Sequence, residues 1–192
     1  MASPSINLNQ RGFNGEFGVN VTRWLALGAD YSYLDGNTSI LPSYLKPSIQ
    51  QELGAAIEGL GGLPPGYTLY VPYEGKTWTF AAGPQINFRK LKYVTFFLRP
   101  DLGVIHETVS LHPQDAIQGF VVSALAPSKE KVDHVPFYGV GGGFDFNATK
   151  HVAFRVTIDY VHTDLFSNLL KDSRDSVRIS VGPTFRFGGN VK

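Results

Sequence analysis

Histidines are the side chains of this sequence best suited to moving protons near neutral pH. Five occur, with spacing that matches no metal-binding motif: His106, His112, His134, His151 and His162. In His162-Thr163-Asp164 an imidazole lies beside a carboxylate, which is a general-base arrangement. No serine nucleophile is evident on a neighbouring segment, so solvated or interfacial histidines are favoured. We predict no catalytic residue, no metal site and no cofactor.

A second set of side chains could form enclosed ion pairs. Its acids and arginines alternate with apolar residues: Glu16, Asp30, Arg99, Asp101, Glu107, Asp145, Arg155, Asp159, Arg178 and Arg186. A solvated face would be rich in lysine and glutamate, yet the lysines all lie in predicted loops, turns or strand ends. Enclosed charges persist only when they are paired, and the planar arginine fork can hold two carboxylates. We predict a structural ion network in a dry interior.

Seven segments of alternating polarity carry these residues. In 152–161, large apolar side chains alternate with smaller or polar ones, and a period of two places the two sets on opposite faces of a strand. The predicted strands are 13–22, 24–34, 77–88, 93–109, 135–147, 151–162 and 175–187. Their length suits tilted strands that cross a bilayer. Prolines inside three of them predict bulges or gaps in pairing: Pro84, Pro100 and Pro183.

The connections alternate between short and long. Short basic turns join the strands at 22–23, 89–92 and 148–150, whereas long loops span 35–76, 110–134 and 163–174. Short turns on one rim and long loops on the other are the layout of outer-membrane barrels. The predicted domain is therefore a barrel over 13–188, between an N-terminal segment, 1–12, and a C-terminal tail, 189–192.

The number of strands is odd, whereas single-chain bacterial barrels have an even number. Counting back from the last strand, segment 13–22 runs inward, so its predecessor is absent. Residues 5–10 are too short for a full strand and its turn. We expect a first strand to be missing upstream or to be supplied in some other way, such as by residues 1–12. No secretion signal is visible at the start of the sequence, Met1-Ala2-Ser3-Pro4.

Composition narrows the class of protein. The net charge of +1 gives no case for a nucleic-acid partner, and the absence of cysteine excludes disulfides and thiolate metal sites. No apolar run approaches the length of a transmembrane helix. Aromatic residues recur toward strand ends, as in interfacial girdles, and the outward apolar set is typical of a lipid-facing belt.

The long loops contain apolar residues that solvated loops do not need. A helix is predicted between Pro47 and Gly61, with Ile49, Leu53, Ile57 and Leu60 on one face, and a second within 114–125. Two interpretations stay open, mutual packing as a cap or contact with another protein. The residues that would take part are Ile49, Leu53, Ile57, Tyr67, Tyr70, Phe120 and Val122.

Three stretches near the C-terminus resemble the OmpA-type small outer-membrane β-barrel family. Residues 136–146 (PFYGVGGGFDF) and 152–160 (VAFRVTIDY) are similar to two consecutive strands of that family, and 180–188 (SVGPTFRFG) is similar to its terminal strand. The resemblance implies an eight-stranded barrel, insertion by the barrel-assembly machinery and contact with outer-membrane lipid. This sequence departs from the family in lacking the first strand and in having residues after its last aromatic position.

Together these patterns predict an all-β, antiparallel, up-and-down transmembrane barrel in the outer membrane of a Gram-negative bacterium. Its expected role is non-enzymatic, structural or partner-binding through external loops, with a lumen filled by side chains. Two alternatives remain, an outer-leaflet lipid-modifying enzyme and a soluble lipocalin-like binding barrel. The enzyme requires a catalytic cluster near the loop-side rim, and the soluble barrel requires a water-exposed polar face.

Overall fold

The computed structural model describes residues 9–59, 61–149 and 151–185. Seven strands follow one another: β1 Arg11–Asn20, β2 Leu25–Ile40, β3 Val71–Phe88, β4 Val94–Leu111, β5 Glu130–Asn147, β6 Val152–Thr163 and β7 Arg174–Phe185. Two α-helices lie in the long loops, α1 at Pro47–Gly59 and α2 at Ala116–Leu125. The predictions for Leu60, Arg186, residues 1–8 and the tail 189–192 fall outside the described residues.

The strands form one antiparallel sheet in which each strand pairs with its sequence neighbours, in the order β1-β2-β3-β4-β5-β6-β7. The sheet is curled, and Arg155 on β6 contacts Glu16 on β1 across its concave side. The predicted all-β antiparallel, up-and-down fold is confirmed. Neither helix of the described chain has the length and apolar character needed to span a membrane.

The strands beside the long loops extend further than the alternating pattern predicted. β2 continues to Ile40 and β3 begins at Val71, so segment 35–76 contributes a paired hairpin extension on each side. β5 likewise begins at Glu130, paired with Ser110 of β4. Mixed polar residues such as Asn37 and Glu74 hide these extensions from a periodicity argument, although Val71 and Tyr73 on β3 are buried.

Two of the strand prolines coincide with a gap in pairing. The β3–β4 ladder runs to Ala82↔Leu102 and resumes at Ile86↔Leu98, leaving residues 83–85 opposite residues 99–101. Pro84 and Pro100 lie in these two stretches and lack the N–H that a ladder needs. Equal numbers of residues on both strands make this a gap without a bulge, one of the two predicted outcomes.

The convex face of the sheet carries the apolar set. Large hydrophobic side chains point outward along every strand and are strongly exposed, including Phe17, Leu27, Phe80, Leu98, Leu102, Phe154, Ile158 and Ile179. The concave face carries the buried polar set, with Arg99 only 2% exposed. Water-soluble proteins rarely expose an apolar surface of this extent. The two faces therefore have the polarity of a lipid-facing barrel.

The two long loops that contain helices pack on each other. Leu53 and Ile57 of α1 join Val121 and Val122 of α2 in one buried cluster, which also contains Leu45. The residues just before α1 are tied to the third loop, because Lys46 N–H donates to Leu169 O at 2.9 Å and Lys171 N–H donates to Tyr44 O at 3.0 Å. We call this layer, residues 41–59, 61–70, 112–129 and 164–171, the loop cap.

The third loop folds into the mouth of the curled sheet. Leu165 and Phe166 are buried against Ile105, Phe137 and Val161, which line the concave face. Phe166 has φ 54°, a left-handed backbone conformation that bulky residues rarely adopt, and its N–H donates to the Asp133 carboxylate. Such backbone strain persists only where surrounding contacts hold it, as this apolar packing does here.

Candidate functional site

Arg99 is the centre of the ion network on the concave face. Its Nε lies 2.8 Å from Asp101 Oδ2, its Nη1 lies 3.1 Å from Glu16 Oε2, and its Nη2 lies 3.2 Å from Asp30 Oδ2. Asp159 is slightly further away, with Oδ1 at 3.7 Å from Nη2. These carboxylates come from β1, β2, β4 and β6, so one guanidinium joins four strands across the interior.

Arg155 forms a second pairing toward the short-turn rim. Its Nε and Nη2 hold both oxygens of Asp145, at 2.7 and 2.9 Å, in the bidentate geometry that arginine favours. Its Nη1 donates to Glu16, which thereby connects Arg155 to Arg99. The guanidinium also lies over the ring of Phe97, 4.2 Å from its centroid. Glu16 on edge strand β1 is therefore shared by two arginines.

Arg178 and Arg174 project from β7 into the same interior. Arg178 Nη1 donates to Ser32 Oγ at 2.8 Å and to Thr79 Oγ1 at 3.0 Å. Arg174 Nη1 donates to Glu107 Oε2 at 2.8 Å, near the loop-side rim. Arg174 was missed by the sequence argument because the predicted strand began one residue later. Arg174 precedes Arg178 by four residues, an even spacing that places both side chains on the same face of a strand. This spacing could have identified Arg174 as an inward residue.

Glycines on the concave face make room for the network. A Cβ at Gly141 would lie 2.0 Å from Asp159 Oδ1, and one at Gly103 would lie 2.7 Å from the Phe137 ring. The run from Gly139 to Gly143 lies within β5 and precedes no helix, so it has no phosphate-loop geometry. Its glycines allow bulky or charged neighbours to occupy the interior.

We expect Gly141→Ala to lower the unfolding free energy by about 1–3 kcal/mol, the usual cost of forcing an extra methyl group into a packed interior. The added carbon would push Asp159 away from Arg99. Equilibrium urea unfolding in detergent micelles measures the change. Gly182→Ala is the matched control, because nothing lies within 4 Å of a Cβ there. Equal effects of the two substitutions would contradict the tight packing at Gly141.

Three histidines lie on the convex face near the loop-side end. The His106 ring stacks on Trp78 with centroids 5.0 Å apart, and His134 packs beside both. His162 Nδ1 lies 2.7 Å from Asp175 Oδ1, which also accepts from the Tyr160 hydroxyl at 2.7 Å. The structure thus pairs His162 with Asp175 on β7, not with the neighbouring Asp164. These rings continue the predicted aromatic girdle at that rim.

The predicted loop-interaction residues divide into buried and accessible groups. Leu53, Ile57 and Val122 are buried in the loop cap, and Ile49, Tyr67 and Phe120 pack against them. Tyr70 is exposed, as is Leu63 at the tip of the segment that leads into β3. Mutual packing therefore accounts for most of this set, while the segment 61–70 presents the accessible apolar surface.

Asp115 joins α2 to the segment that follows α1. Its carboxylate caps α2 by accepting from Gln118 N–H at 2.8 Å, and it also accepts from the Tyr67 hydroxyl at 2.7 Å. These two hydrogen bonds hold the pKa of Asp115 below its usual range, the backbone one contributing most. The hydrogen bond between Tyr67 and Asp115 raises the pKa of the Tyr67 hydroxyl. One side chain thus fixes α2 to the segment 61–70.

We expect the Asp115 contribution to cap stability to be present at neutral pH and to be lost as the pH falls through its lowered folded-state pKa. A carboxyl with a depressed pKa contributes its full stabilisation above its unfolded value, about 3.9, and loses it progressively between that value and its lower folded-state pKa. Amide exchange of α2 between pH 3 and 7 measures the effect. Asp115→Ala should exchange faster at pH 7 and lose this pH dependence, and an unchanged profile would contradict the capping role.

The concave side borders a partly open cavity of about 1750 Å³ that runs beside both edge strands. Its lining includes Arg174 to Phe185 of β7 and Asn14 to Asn20 of β1 apart from Gly15, with inward and outward side chains alike. This places much of the volume along the seam between the two edges. Across residues 9–185, as described, no group of three or more potential ligands has metal-site geometry.

An antiparallel up-and-down sheet with an apolar convex face and an ionic interior defines the class of protein as an outer-membrane-type β-barrel. Comparison with solved structures finds Ail, the attachment invasion locus protein of Yersinia pestis, which is 16% identical with a TM-score of 0.44. That match covers 93% of this chain and 84% of Ail.

A second Ail structure, in complex with the heparin analogue sucrose octasulfate, has the same identity, 16%, and TM-score, 0.44, over 92% of this chain and 82% of Ail. Ail is a small barrel of the OmpA-like type, the type that the sequence motifs resembled. No protein-family model and no curated protein matches the chain. The assignment to a class therefore rests on the strand pairing and face polarity of this chain.

Proposed function

We propose that this protein is a non-enzymatic barrel of the bacterial outer membrane, with a closed lumen and a loop cap that presents a partner-binding surface. The observation that carries the proposal is the polarity of the sheet, with exposed apolar side chains on the convex face and Arg99 paired with carboxylates of several strands on the concave face. Outer-membrane lipid is the medium that this convex face fits.

Two layers support a closed lumen. The Arg99 and Arg155 pairs cross the interior at the level of Glu16, and Leu165 and Phe166 fill the loop-side mouth above them. An eight-stranded barrel has an interior that side chains can fill. We expect no stable conductance in planar bilayers. Discrete channels carried by the full chain at neutral pH would contradict a closed lumen.

The segment 61–70 supports partner binding through the loop cap. Leu63 and Tyr70 are exposed, with Pro64 and Pro65 beside them, while the rest of the loop cap buries its apolar residues. Exposed aromatic and apolar side chains on a rigid support are common at binding sites. We infer that this segment, rather than α1 or α2, would touch a protein partner.

Heat-modifiable migration tests the barrel, and a paired substitution tests the binding surface. The full chain in detergent should migrate faster unheated than heated. Leu63→Asp with Tyr70→Ala should leave that behaviour intact and reduce adhesion of expressing cells to a protein-coated surface, whereas Ser123→Ala on the exposed side of α2 should not. Adhesion that survives the double substitution would remove segment 61–70 from the binding role.

The two alternative functions have less support. An outer-leaflet enzyme would need a nucleophile beside His162, which contacts Asp175 and the Tyr138 ring. A soluble lipocalin-like barrel would turn its apolar face inward, the reverse of the arrangement here. We therefore place the barrel-assembly machinery and outer-membrane lipid, and no enzyme substrate, among the expected partners.

A further inference from the structure

The charged residues of this chain divide unequally between the two ends of the sheet. Five basic residues and no aspartate or glutamate occur in the three short turns, 22–23, 89–92 and 148–150. At the other end, nine acidic residues and six lysines or arginines occur in the long segments 35–76, 110–134 and 163–174. Exposed charge of one sign attracts partners of the opposite sign. The short-turn end of the sheet therefore suits an anionic partner.

Two of these turns share one hydrogen-bonding pattern. In the β1–β2 turn, the Thr22 hydroxyl accepts from the Trp24 N–H at 3.3 Å, and in the β5–β6 turn the Thr149 hydroxyl accepts from the His151 N–H at 3.1 Å. The threonine N–H closes each turn by donating to the carbonyl of the first residue of the next strand, at 3.0 Å in both. In the sequence, a basic residue separates each threonine from the ring-bearing residue. The same turn thus sets a ring-bearing residue immediately before β2 and before β6.

The β3–β4 turn repeats this order of residue types. Lys92 precedes Tyr93, which lies immediately before β4, and Lys92 Nζ lies 5.2 Å from the centroid of the Tyr93 ring. Backbone hydrogen bonds join the turns, since Trp24 O accepts from the Asn87 N–H at 2.7 Å and Tyr93 O accepts from the Asn147 N–H at 2.8 Å. The three turns therefore form one continuous surface. We call it the basic rim, residues 21–24, 89–93, 147–149 and 151.

The side chains of the basic rim are accessible and combine charge with rings. Arg23, Lys90 and Lys92 are exposed, and so are Trp24 at 58% and Tyr93 at 66%. Tryptophan and tyrosine prefer the boundary between lipid headgroups and acyl chains. Lysine and arginine close to a bilayer surface are attracted to anionic headgroups. A partner dissolved in water would leave the rings exposed, whereas a lipid surface takes up both the rings and the charges.

We propose that the basic rim binds the headgroups of anionic phospholipids in the leaflet that the short turns face. The ligand group is a phosphodiester, whose oxygens accept from the guanidinium of Arg23 and from the ammonium groups of Lys90 and Lys92. The rings of Trp24 and Tyr93 lie at the boundary with the acyl chains. Uncharged detergent micelles offer no such headgroup, so these charges add nothing to the stability of the barrel there. This inference rests on the membrane orientation proposed above.

The two tryptophans of the chain provide one fluorescent reporter at each end of the sheet. Trp24 belongs to the basic rim, and Trp78 lies in the loop-side part of β3. Trp78→Phe leaves Trp24 as the reporter of the rim, and Trp24→Phe leaves Trp78 as the matched control. Each full-length variant is folded into mixed vesicles of phosphatidylglycerol and phosphatidylcholine, one of which is brominated on the upper acyl chain. Quenching gives the association constant of phosphatidylglycerol relative to phosphatidylcholine at each end.

We expect the relative constant at Trp24 to be at least about fivefold in favour of phosphatidylglycerol, because each lysine or arginine near an anionic surface adds an attraction of that order. At Trp78 the constant should be about one. Combining Arg23→Gln, Lys90→Gln and Lys92→Gln should lower the value at Trp24 to below about twofold. Salt at about 1 M, where the screening length is about 3 Å, should lower it as well.

Exposed lysines of the loop side provide the matched triple substitution, Lys76→Gln with Lys129→Gln and Lys171→Gln, which should leave the value at Trp24 unchanged. A preference at Trp24 that survives the loss of the rim charges would overturn the proposal, as would equal values at both tryptophans. Weaker co-sedimentation of the rim variant with peptidoglycan sacculi, without a lipid preference, would assign the rim to a cell-wall polymer instead. If neither brominated lipid quenched either tryptophan, the membrane orientation itself would be contradicted, and the lipid-binding rim with it.

Discussion

Replacement of Arg99 by methionine is expected to lower the unfolding free energy by about 3–5 kcal/mol, the usual cost of removing one partner of a buried ion pair. Arg99 is 2% exposed and contacts the carboxylates of Glu16, Asp30 and Asp101. Without the guanidinium, these like charges would repel one another on the buried concave face. Urea titration in micelles, read by unheated gel migration, measures the change.

Charge-matched variants separate electrostatics from packing. Adding Asp30→Asn and Asp101→Asn to Arg99→Met should recover part of the lost stability, because the uncompensated charges are removed. Arg23→Ala in the exposed β1–β2 turn should change the unfolding free energy by less than about 0.5 kcal/mol. A loss below about 1 kcal/mol for Arg99→Met would contradict the view that the network stabilises the interior.

Leu98→Arg is expected to cost about 2–4 kcal/mol in lipid vesicles, the range for a basic residue placed on the lipid face near the bilayer midplane. Leu98 points outward from β4, between Ile86 on β3 and Gly142 on β5. A guanidinium there would have to leave water for hydrocarbon. Denaturant unfolding from vesicles, monitored by tryptophan fluorescence, measures the loss.

Leu91→Arg is the matched control for that substitution. Leu91 is 56% exposed, a little more than Leu98 at 46%, but it lies in the turn between β3 and β4. If the convex face meets lipid, only Leu98→Arg should be costly. If it meets water, both substitutions should be within about 0.5 kcal/mol of the natural protein, as for ordinary surface changes.

The alternating pattern predicted the strands and their faces because membrane strands obey one strict period. Val152–Thr163 illustrates this, with Phe154 and Ile158 exposed and Thr157 and Asp159 buried. The pairing of particular charges could not be predicted in the same way. That Glu16 meets both Arg99 and Arg155 depends on how far the sheet curls, which no local pattern encodes.

The loops were predictable only in part. The helical face with Leu53 and Ile57 could be identified from its period, and it packs on Val121 and Val122. The insertion of Leu165 and Phe166 into the barrel mouth could not be predicted. A short, turn-rich segment has no periodic pattern that indicates its contacts.

The most direct test of the orientation of the sheet uses bimane attached to single cysteines in lipid vesicles. Ile158→Cys on the convex face and its neighbour Thr157→Cys on the concave face form the matched pair. We predict that nitroxides on lipid chains quench bimane at position 158 strongly and at position 157 weakly, with little quenching by iodide at position 158. Strong iodide quenching at position 158 without nitroxide quenching would contradict a lipid-facing barrel.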